Sequence, residues 1–410
     1  MKPKVHQILA TLGYGDAIGN EVLGICRTLR AAGYESEIIV ETADPRLEDL
    51  TVDYQEMVNE VGPDDLLIHH FSIGSRASRT AFALPARMML IYHNITPPEF
   101  FLGVHPQLVK QCYHGRRELT AYRDRVDLAL GDSEFNRQEL ESLGFNPTDV
   151  LPVVPDFAHL GVPPDPRVMT AYDDEWTNIL FVGRMIPNKR PDDIIRFFHA
   201  YKTLYNPRAR LILAGSYTGF ELYMSQLQTL IARLGVRDVH IVGQITNAEL
   251  TGLYDCADLF LCASEHEGFC VPLIESFYKR VPVLAFNAAA VPLTMDGGGV
   301  LYDTKDPAHV AGLMHAMISD HALGDRVLEA QDGALDRLLA RDFSGMLLRF
   351  IDQVMASPRK PLPPVAHDFW RQFKLAEELT ELLHFRPSAF RALPVAPEET
   401  VVAELGHRRD

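Results

Sequence analysis

Residues 258–287 read DLFLCASEHEGFCVPLIESFYKRVPVLAFN: an apolar run, a loop with acidic residues, a helix-like segment and a second apolar run. The runs DLFLCAS and VPVLAFN are short and continuous, which is typical of strands buried on both faces of a parallel sheet. Pro272 stands close to the first turn of the intervening helix, where proline is favoured. The stretch therefore predicts a strand, a helix and a second strand of a doubly wound α/β sheet.

The same alternation extends in both directions along the chain. Strands are predicted at TNILFVGR, ARLILAGS and DVHIVGQI, and earlier at VHQILATL, DLLIHHFS, RMMLIYHN and DLALGDS, with helical segments between them. Residues 161–176 are rich in Pro and Asp without a clear period, so they predict a linker. We therefore predict two Rossmann-like domains, 1–160 and 177–356, that face a central cleft. Residues 357–410 form a predicted tail with one helix packing back on the first domain.

Composition excludes several classes of protein. The 410 residues carry a formal net charge of −16, which disfavours nucleic-acid binding because that function needs a broad positive surface. No run approaches the ~20 apolar residues of a membrane span, so we expect a cytoplasmic protein with at most peripheral contact at the inner face of the cell membrane. The five cysteines lack C-x-x-C spacing, which indicates free thiols rather than disulfides or structural zinc.

Two acidic residues bracket the apolar start of the predicted helix in 258–287. Glu267 lies on the loop after the strand, and Glu275 lies on the helix that follows. The backbone amides of the residues after Glu267 fall at the positive end of that helix, which favours an anion. Carboxylates accept hydrogen bonds from hydroxyl groups. The pattern therefore suits a nucleotide sugar, with hydroxyls at both ends and a diphosphate between them; the amides come from Gly268, Phe269 and Cys270.

Three segments of the second domain carry a resemblance to a known family: EHEGFCVPLIE, FVGRMIPNKR and VPVLAFNAAAVPLTMDGGGVLYD. With its E-x7-E spacing, the chain resembles the retaining GT-B glycosyltransferases of family 4 over roughly residues 1–356. The resemblance implies a GT-B fold, with an acceptor-side first domain and a donor-binding second domain. It implies that Glu267 and its neighbouring amides hold the donor sugar, that Glu275 holds the ribose, and that Arg184 and Lys189 hold the diphosphate. The family usually has a second glycine where this chain has Cys270.

Arg184 and Lys189 also make chemical sense without the resemblance. Negative charge builds on a nucleoside diphosphate as it leaves a sugar, and fixed cations in a dry cleft stabilise that charge. The alternative is that RMIPNKR is a plain polar loop. A metal ion is a second way to stabilise the charge, but no D-x-D motif follows a strand. We therefore predict no metal site and no cofactor.

Two loops of the first domain provide further candidates. LGYGDAIGNE follows the first strand, and we select Gly15, Asp16 and Gly19 for the donor phosphates, with helix capping as the alternative for Asp16. IYHNITPPEFF follows a later strand. Its His93 resembles the family's histidine near the reacting centre, against the alternative of a loop histidine with a structural role, and Asn94 and Thr96 are placed on the acceptor side.

These observations predict a retaining, metal-independent glycosyltransferase that acts in polysaccharide or glycoconjugate assembly. Its predicted partners are a nucleotide-sugar donor and a saccharide or lipid-linked saccharide acceptor, and GDP-mannose is the first choice of donor. Three alternatives stay open: a GT-B nucleotide-sugar epimerase, a phosphorylase, and a non-catalytic carbohydrate-binding or assembly subunit with this fold. Cys270 is the feature that favours the non-catalytic alternative.

Overall fold

The computed structural model describes residues 3–57, 60–153 and 157–361. Over these residues, seven parallel strands form a first sheet and six form a second. The first sheet contains β1 (Val5–Leu12), β2 (Ile38–Ala43), β3 (Thr51–Asp53), β4 (Leu66–Phe71), β5 (Arg87–Tyr92), β6 (Leu128–Gly131) and β7 (Thr148–Val150). Its helices are α1 (Ala17–Ala31), α2 (Tyr54–Met57), α3 (Arg76–Ala83), α4 (Pro106–Ala121) and α5 (Glu134–Ser142).

The second sheet follows a short helix, α6 (Pro166–Tyr172). Its strands are β8 (Thr177–Val182), β9 (Ala209–Ala214), β10 (Val239–Gly243), β11 (Leu259–Cys262), β12 (Val283–Phe286) and β13 (Val300–Tyr302). The remaining helices are α7 (Pro191–Leu204), α8 (Glu221–Leu234), α9 (Asn247–Asp255), α10 (Val271–Tyr278), α11 (Val291–Met295), α12 (Pro307–Ser319), α13 (His321–Leu339) and α14 (Phe343–Ala356).

The strand order places two crevices at the carboxyl ends of the sheets. The orders are β3-β2-β1-β4-β5-β6-β7 and β10-β9-β8-β11-β12-β13, so the winding direction reverses between β1 and β4 and again between β8 and β11. Ligands bind at such switch points because the loops on either side diverge there. The loops after β1, β8 and β11 are the ones from which the sequence selects Asp16, Arg184 and Glu267.

The linker is more ordered than its composition predicts. Residues 166–172 form α6, which Asp165 caps by accepting a hydrogen bond from the Arg167 amide, with Pro166 in the first turn. A Cβ on Gly252 of α9 would lie 3.0 Å from Val168, so the two helices pack closely. The Asp-Pro pair is a helix-start signal that the search for hydrophobic periodicity misses.

The chain returns to the first domain through α14. Its residues Leu347, Phe350 and Ile351 are buried among first-domain side chains that include Leu66 and Met89. Arg87 at the start of β5 donates to the carbonyl oxygens of α14 and of the residue after it. Thus α14 contacts the first sheet, although the sequence analysis groups it with the second domain. The helix predicted in the tail lies in residues 362–410, outside the described residues.

Candidate active site

The loop between β11 and α10 is joined to the loop after β8 by a short ion pair. The Nζ atom of Lys189 lies 2.7 Å from Oε1 of Glu267, and both side chains are largely buried. Burial opposes a charged ammonium, but the Glu267 carboxylate outweighs it and raises the pKa of Lys189. The pair that the sequence selects is therefore brought together as two charges in one site.

Two hydrogen bonds join the loop after β8 to the loop after β11. The Asn188 side chain donates to the carbonyl oxygen of His266 at 3.0 Å, and the Glu265 amide donates to the carbonyl oxygen of Asn188 at 2.8 Å. These bonds flank the ion pair on both loops. They limit the movement of Lys189 relative to Glu267, which is the preorganisation that electrostatic catalysis requires.

A second ionic cluster supports the same loops from the side of β13. Lys305 donates to Asp193 at 2.9 Å, to Glu265 at 2.8 Å and to the carbonyl oxygen of Ala263 at 3.0 Å. Arg190 completes the cluster through Asp193 and Glu265. Sequence reasoning misses Lys305 because it is 38 residues from Glu267, beyond any spacing motif.

The backbone between the two acidic residues explains the residue types found there. A Cβ on Gly268 would lie 2.9 Å from the carbonyl oxygen of His93 and 3.1 Å from Cβ of Asn94, so glycine permits this close approach of the two domains. Cys270 has φ +75° and ψ +66°, a left-handed conformation that favours glycine. The chain keeps the backbone shape of a glycine while carrying a thiol.

Phe269 lies between them with its side chain in the core of the second domain. Its carbonyl oxygen accepts a hydrogen bond from the Thr294 hydroxyl. The side chain of Phe269 therefore anchors the loop in the core of the second domain.

Glu275 lies in α10, and both of its oxygens have partners. Oε1 is 2.8 Å from Nε2 of His159, which comes from the segment between the two sheets, and Oε2 accepts from the Tyr254 hydroxyl at 2.9 Å. Neither partner was selected from the sequence. The contact with His159 ties the predicted ribose carboxylate to the segment that joins the two domains.

The loop after β1 is shaped by two glycines around Asp16. The Asp16 side chain accepts from the Gly19 amide and caps α1, while its role at the donor phosphates stays a prediction. A Cβ on Gly19 would lie 2.3 Å from the carbonyl oxygen of Gly13, and Gly15 has φ +73°. Burial raises the pKa of Asp16, against the amide of Gly19 and the charges of His93 and Arg184.

Arg184 reaches into the cleft from the loop after β8. Arg184 is exposed, and its guanidinium carbon lies 5.6 Å from the ring centroid of Phe220. The positive charge of Arg184 also acts on the Asp16 carboxyl, whose pKa it lowers, so the loop after β8 lies near the loop after β1. Among the contacts of Arg184 in the described residues, none is a close ion pair, in contrast to Lys189.

His93 follows β5 and its side chain is buried. Its Nδ1 atom lies 3.5 Å from Oδ2 of Asp132 and 3.7 Å from Oε2 of Glu21. Burial lowers the pKa of His93, but Asp132 and Glu21 outweigh it, so the net pKa is raised. Both carboxylates were missed by the sequence analysis because each stands on a different element, Glu21 on α1 and Asp132 after β6.

The two residues selected after His93 continue the same loop. Asn94 has φ +73° and donates to the Asn136 side chain at 2.7 Å. Thr96 is partly buried two residues further on. Asn94 thus ties the loop to α5, and the acceptor-side roles of Asn94 and Thr96 stay predictions.

Within 3–57, 60–153 and 157–361, no group of three or more His, Cys, Asp or Glu side chains is arranged to hold a metal ion. In the same part of the chain, no helix has the length and apolarity needed to cross a membrane.

The family model and the two curated relatives described below are all named as glycosyltransferases. Residues 168–331 match the family model of glycosyl transferases group 1. O-antigen chain mannosyltransferase B of Escherichia coli is 28% identical over 240 residues, which cover 55% of this chain and 60% of that protein. D-inositol 3-phosphate glycosyltransferase of Thermobifida fusca is 30% identical over 227 residues, 52% of this chain and 51% of that protein. The chain thus spans little more than half the length of these two curated relatives.

Solved structures match over a larger part of the chain. Sucrose-phosphate synthase from Thermosynechococcus elongatus has a TM-score of 0.67 at 14% identity, covering 87% of this chain and 100% of that chain. Anabaena HepE in complex with UDP-glucose has a TM-score of 0.66 at 16% identity, with the same coverage. The predicted GT-B fold is confirmed, whereas the assignment to family 4 stays a prediction. The chain has the GT-B fold, and residues 168–331 match the model of the glycosyl transferases group 1 family.

Proposed function

We propose that this protein is a retaining, metal-independent glycosyltransferase that uses a nucleotide-diphosphate sugar. The observation that carries the proposal is the cleft at the two switch points, where Lys189 and Glu267 are paired and Arg184 lies on the same loop after β8 as Lys189. The matching family model and the two similar curated transferases support the class of reaction. The alternative of a plain polar loop at RMIPNKR does not explain why Lys189 is buried against Glu267.

The chemistry follows from the charges. As the bond between the anomeric carbon and the diphosphate oxygen breaks, negative charge grows on the diphosphate, and Lys189 and Arg184 stabilise it. The acceptor oxygen forms the new bond to the same carbon on the same face. The acceptor proton passes to the departing phosphate oxygen, so the atoms and the charge balance. Glu267 positions both the donor sugar and the ammonium of Lys189.

The donor and acceptor follow the sequence prediction. We propose GDP-mannose as the first donor to test and a saccharide or lipid-linked saccharide as the acceptor, in polysaccharide or glycoconjugate assembly at the cytoplasmic side. The similarity to a curated protein named as a mannosyltransferase supports mannose. No nucleic acid, cofactor or metal ion is proposed, since fixed cations of the chain take the place of a metal.

The backbone argues against a non-catalytic subunit. Cys270 is the feature that favours this alternative, because its side chain stands where the family usually has glycine. The left-handed φ of Cys270 keeps the path of the loop, and Gly268 still lies against the first domain. The donor loop therefore retains the shape that its proposed function needs.

A thermal-shift comparison of GDP, UDP, ADP and dTDP tests the proposal. One nucleoside diphosphate is expected to raise the melting temperature, and the matching nucleotide sugars are then assayed for diphosphate release. Turnover is expected to survive EDTA. If no nucleotide stabilises the protein and none is released, the transferase proposal is wrong; loss of turnover in EDTA with recovery in Mn²⁺ contradicts metal independence alone.

A further inference from the structure

A chain of buried polar side chains crosses the first sheet beside the cleft. Gln7 lies on β1 and is 0% exposed, and His70 lies on β4 and is 2% exposed. His93 follows β5, next to β4 in the sheet. Burying three polar side chains at the centre of a sheet is costly unless each finds a partner. Each nitrogen atom of these side chains therefore needs a hydrogen-bond partner.

The amide of Gln7 determines which nitrogen of His70 carries a hydrogen. Its Nε2 atom donates to the carbonyl oxygen of Val22 at 3.1 Å, since a carbonyl can only accept. Its Oε1 atom therefore faces Nε2 of His70, at 3.0 Å. An amide oxygen only accepts, so Nε2 of His70 is the protonated nitrogen.

The contact between His70 and His93 then determines which atom of His93 donates a hydrogen bond. Nδ1 of His70 lies 2.9 Å from Nε2 of His93, and the two rings are nearly parallel at 8°. Burial lowers the pKa of His70 well below its usual value, which keeps the ring neutral. With its hydrogen on Nε2, the neutral ring presents a lone pair at Nδ1. Nε2 of His93 must therefore donate to it.

The remaining nitrogen of His93 faces carboxylates. Nδ1 points towards Asp132 and Glu21 at 3.5 and 3.7 Å, and both groups accept when ionised. Neither oxygen of Glu21 has a hydrogen-bond partner among the described residues, and its Oε2 lies 3.7 Å from Nδ1 of His93. Burial raises the pKa of Glu21 to about 7, against the charge of His93. The other titratable groups that act on His93 are Asp16, from the loop after β1, and His69, on β4.

We propose that Gln7 and His70 are positioning residues that commit both ring nitrogens of His93 as donors, so that His93 gives the cleft a fixed positive charge and no lone pair. The inference rests on the proposed function. In the proposed transfer reaction, His93 therefore stabilises negative charge on the leaving diphosphate and takes no proton from the acceptor. The carbonyl oxygen of His93 approaches Gly268 in the loop between β11 and α10, where an added Cβ would lie 2.9 Å from it.

Two substitutions of His70 separate positioning from packing. His70→Asn keeps a side-chain oxygen close to where Nδ1 accepts from His93, whereas His70→Leu has a similar volume and no acceptor. Readouts are the ¹⁵N chemical shifts of the His93 ring, assigned by their loss in His93→Gln, and the pH dependence of kcat. In the native protein both ring nitrogens are expected to be protonated at pH 7.

His70→Leu is expected to lower the pKa of His93 by roughly one unit, the effect of losing one hydrogen bond to a charged group. The alkaline limb of the kcat profile should move down by the same amount, with KM little changed, and His70→Asn should restore most of it. If His70→Leu does not fold, Gln7→Leu is measured instead and is expected to shift the same two readouts in the same direction.

Three results would overturn the proposal: an unprotonated ring nitrogen of His93 in the native protein at pH 7, ring shifts that His70→Leu leaves unchanged, or equal pH profiles for the Leu and Asn variants. Failure of the proposed function has a different signature. In that case the native protein turns over no nucleotide sugar, while the ring shifts still report whether His70 positions His93.

Discussion

The two walls of the cleft hold their charges in different ways. On the second domain, Lys189 and Glu267 form a direct ion pair at 2.7 Å on two loops. On the first domain, His93 is connected to the interior of the sheet through His70 and Gln7. A loop ion pair can exchange its partner for a ligand, whereas the buried contacts of His93 favour its protonated form by raising its pKa. We therefore expect the second domain to meet the charge that develops on the ligand, and the first domain to hold a positive charge on His93 up to its raised pKa.

The largest effect is expected from removing the cation of the loop ion pair. Lys189→Ala leaves Glu267 buried without its partner and removes a charge that stabilises the leaving diphosphate. We expect kcat to fall by about 100-fold or more, and the free energy of unfolding to fall by about 3 kcal/mol. Steady-state kinetics and denaturant unfolding measure the two effects.

Lys279→Ala is the matched control for this change. Lys279 pairs with Asp255 at the other end of α10, away from the cleft, and is also largely buried. Its removal should leave kcat within about twofold of the native value. Equal losses of kcat in the two variants would mean that Lys189 acts through stability alone.

The two buried histidines of β4, His69 and His70, should make the protein sensitive to acid. Burial lowers the pKa of His69 to about 3 and that of His70 well below its usual value. The unfolded chain binds protons near pH 6.5 and the folded chain does not, so stability falls as the pH drops below 6.5. His69 alone should cost about 2 kcal/mol between pH 7 and pH 5.

Denaturant unfolding of the native protein and of His69→Phe measures this loss. The raised pKa of His93 acts with the opposite sign, because its stabilising charge is present at acid pH and is lost as the pH rises through its folded value. Because His69→Phe lacks the buried histidine, its free energy of unfolding should fall less steeply than that of the native protein as the pH drops. Parallel pH curves for the two proteins would contradict the neutral buried state of His69.

A smaller effect is expected at Glu275, the carboxylate predicted to hold the ribose. Glu275→Gln keeps the size of the side chain but removes the charge that His159 and Tyr254 contact. We expect the affinity for the nucleoside diphosphate to fall by about 10-fold, equivalent to one charged hydrogen bond, with little change in kcat. Calorimetric titration measures the affinity; a loss confined to kcat would mean that Glu275 acts on bond cleavage.

The smallest effect isolates the backbone of the donor loop. Cys270→Gly and Cys270→Ala both remove the thiol, but only glycine adopts φ +75° without strain. The glycine variant should be more stable than the alanine variant by about 1 kcal/mol, as measured by their melting curves. Equal stability would show that the left-handed conformation costs nothing at this position.

The parts of this structure that the sequence predicts follow from local patterns. Apolar runs and capping residues predict the alternation of strands and helices, and the loops after β8 and β11 contain Arg184, Lys189 and Glu267 as expected. In a doubly wound sheet those loops must meet at a switch point, because parallel strands end on the same edge. Local patterning and topology together are enough to place these three residues at the cleft.

The remaining contacts depend on packing between distant segments. His159 reaches Glu275 from 116 residues away, and Lys305 reaches Asp193 from 112. No spacing motif extends over such separations. The sequence nonetheless contains a signal for buried polar contacts in the first sheet. DLLIHHFS places two histidines in an otherwise apolar strand, and both are buried in β4. Of the two, His70 connects Gln7 to His93.

The most direct measurement follows one turnover reaction by NMR, with the donor identified by thermal shift and a saccharide acceptor. We predict that nucleoside diphosphate appears in equal amount to a new glycosidic linkage, and that the anomeric carbon keeps the configuration it has in the donor. Lys189→Ala should slow both signals together. A product with the opposite configuration would contradict the proposed same-face reaction, and unconsumed donor would contradict glycosyl transfer itself.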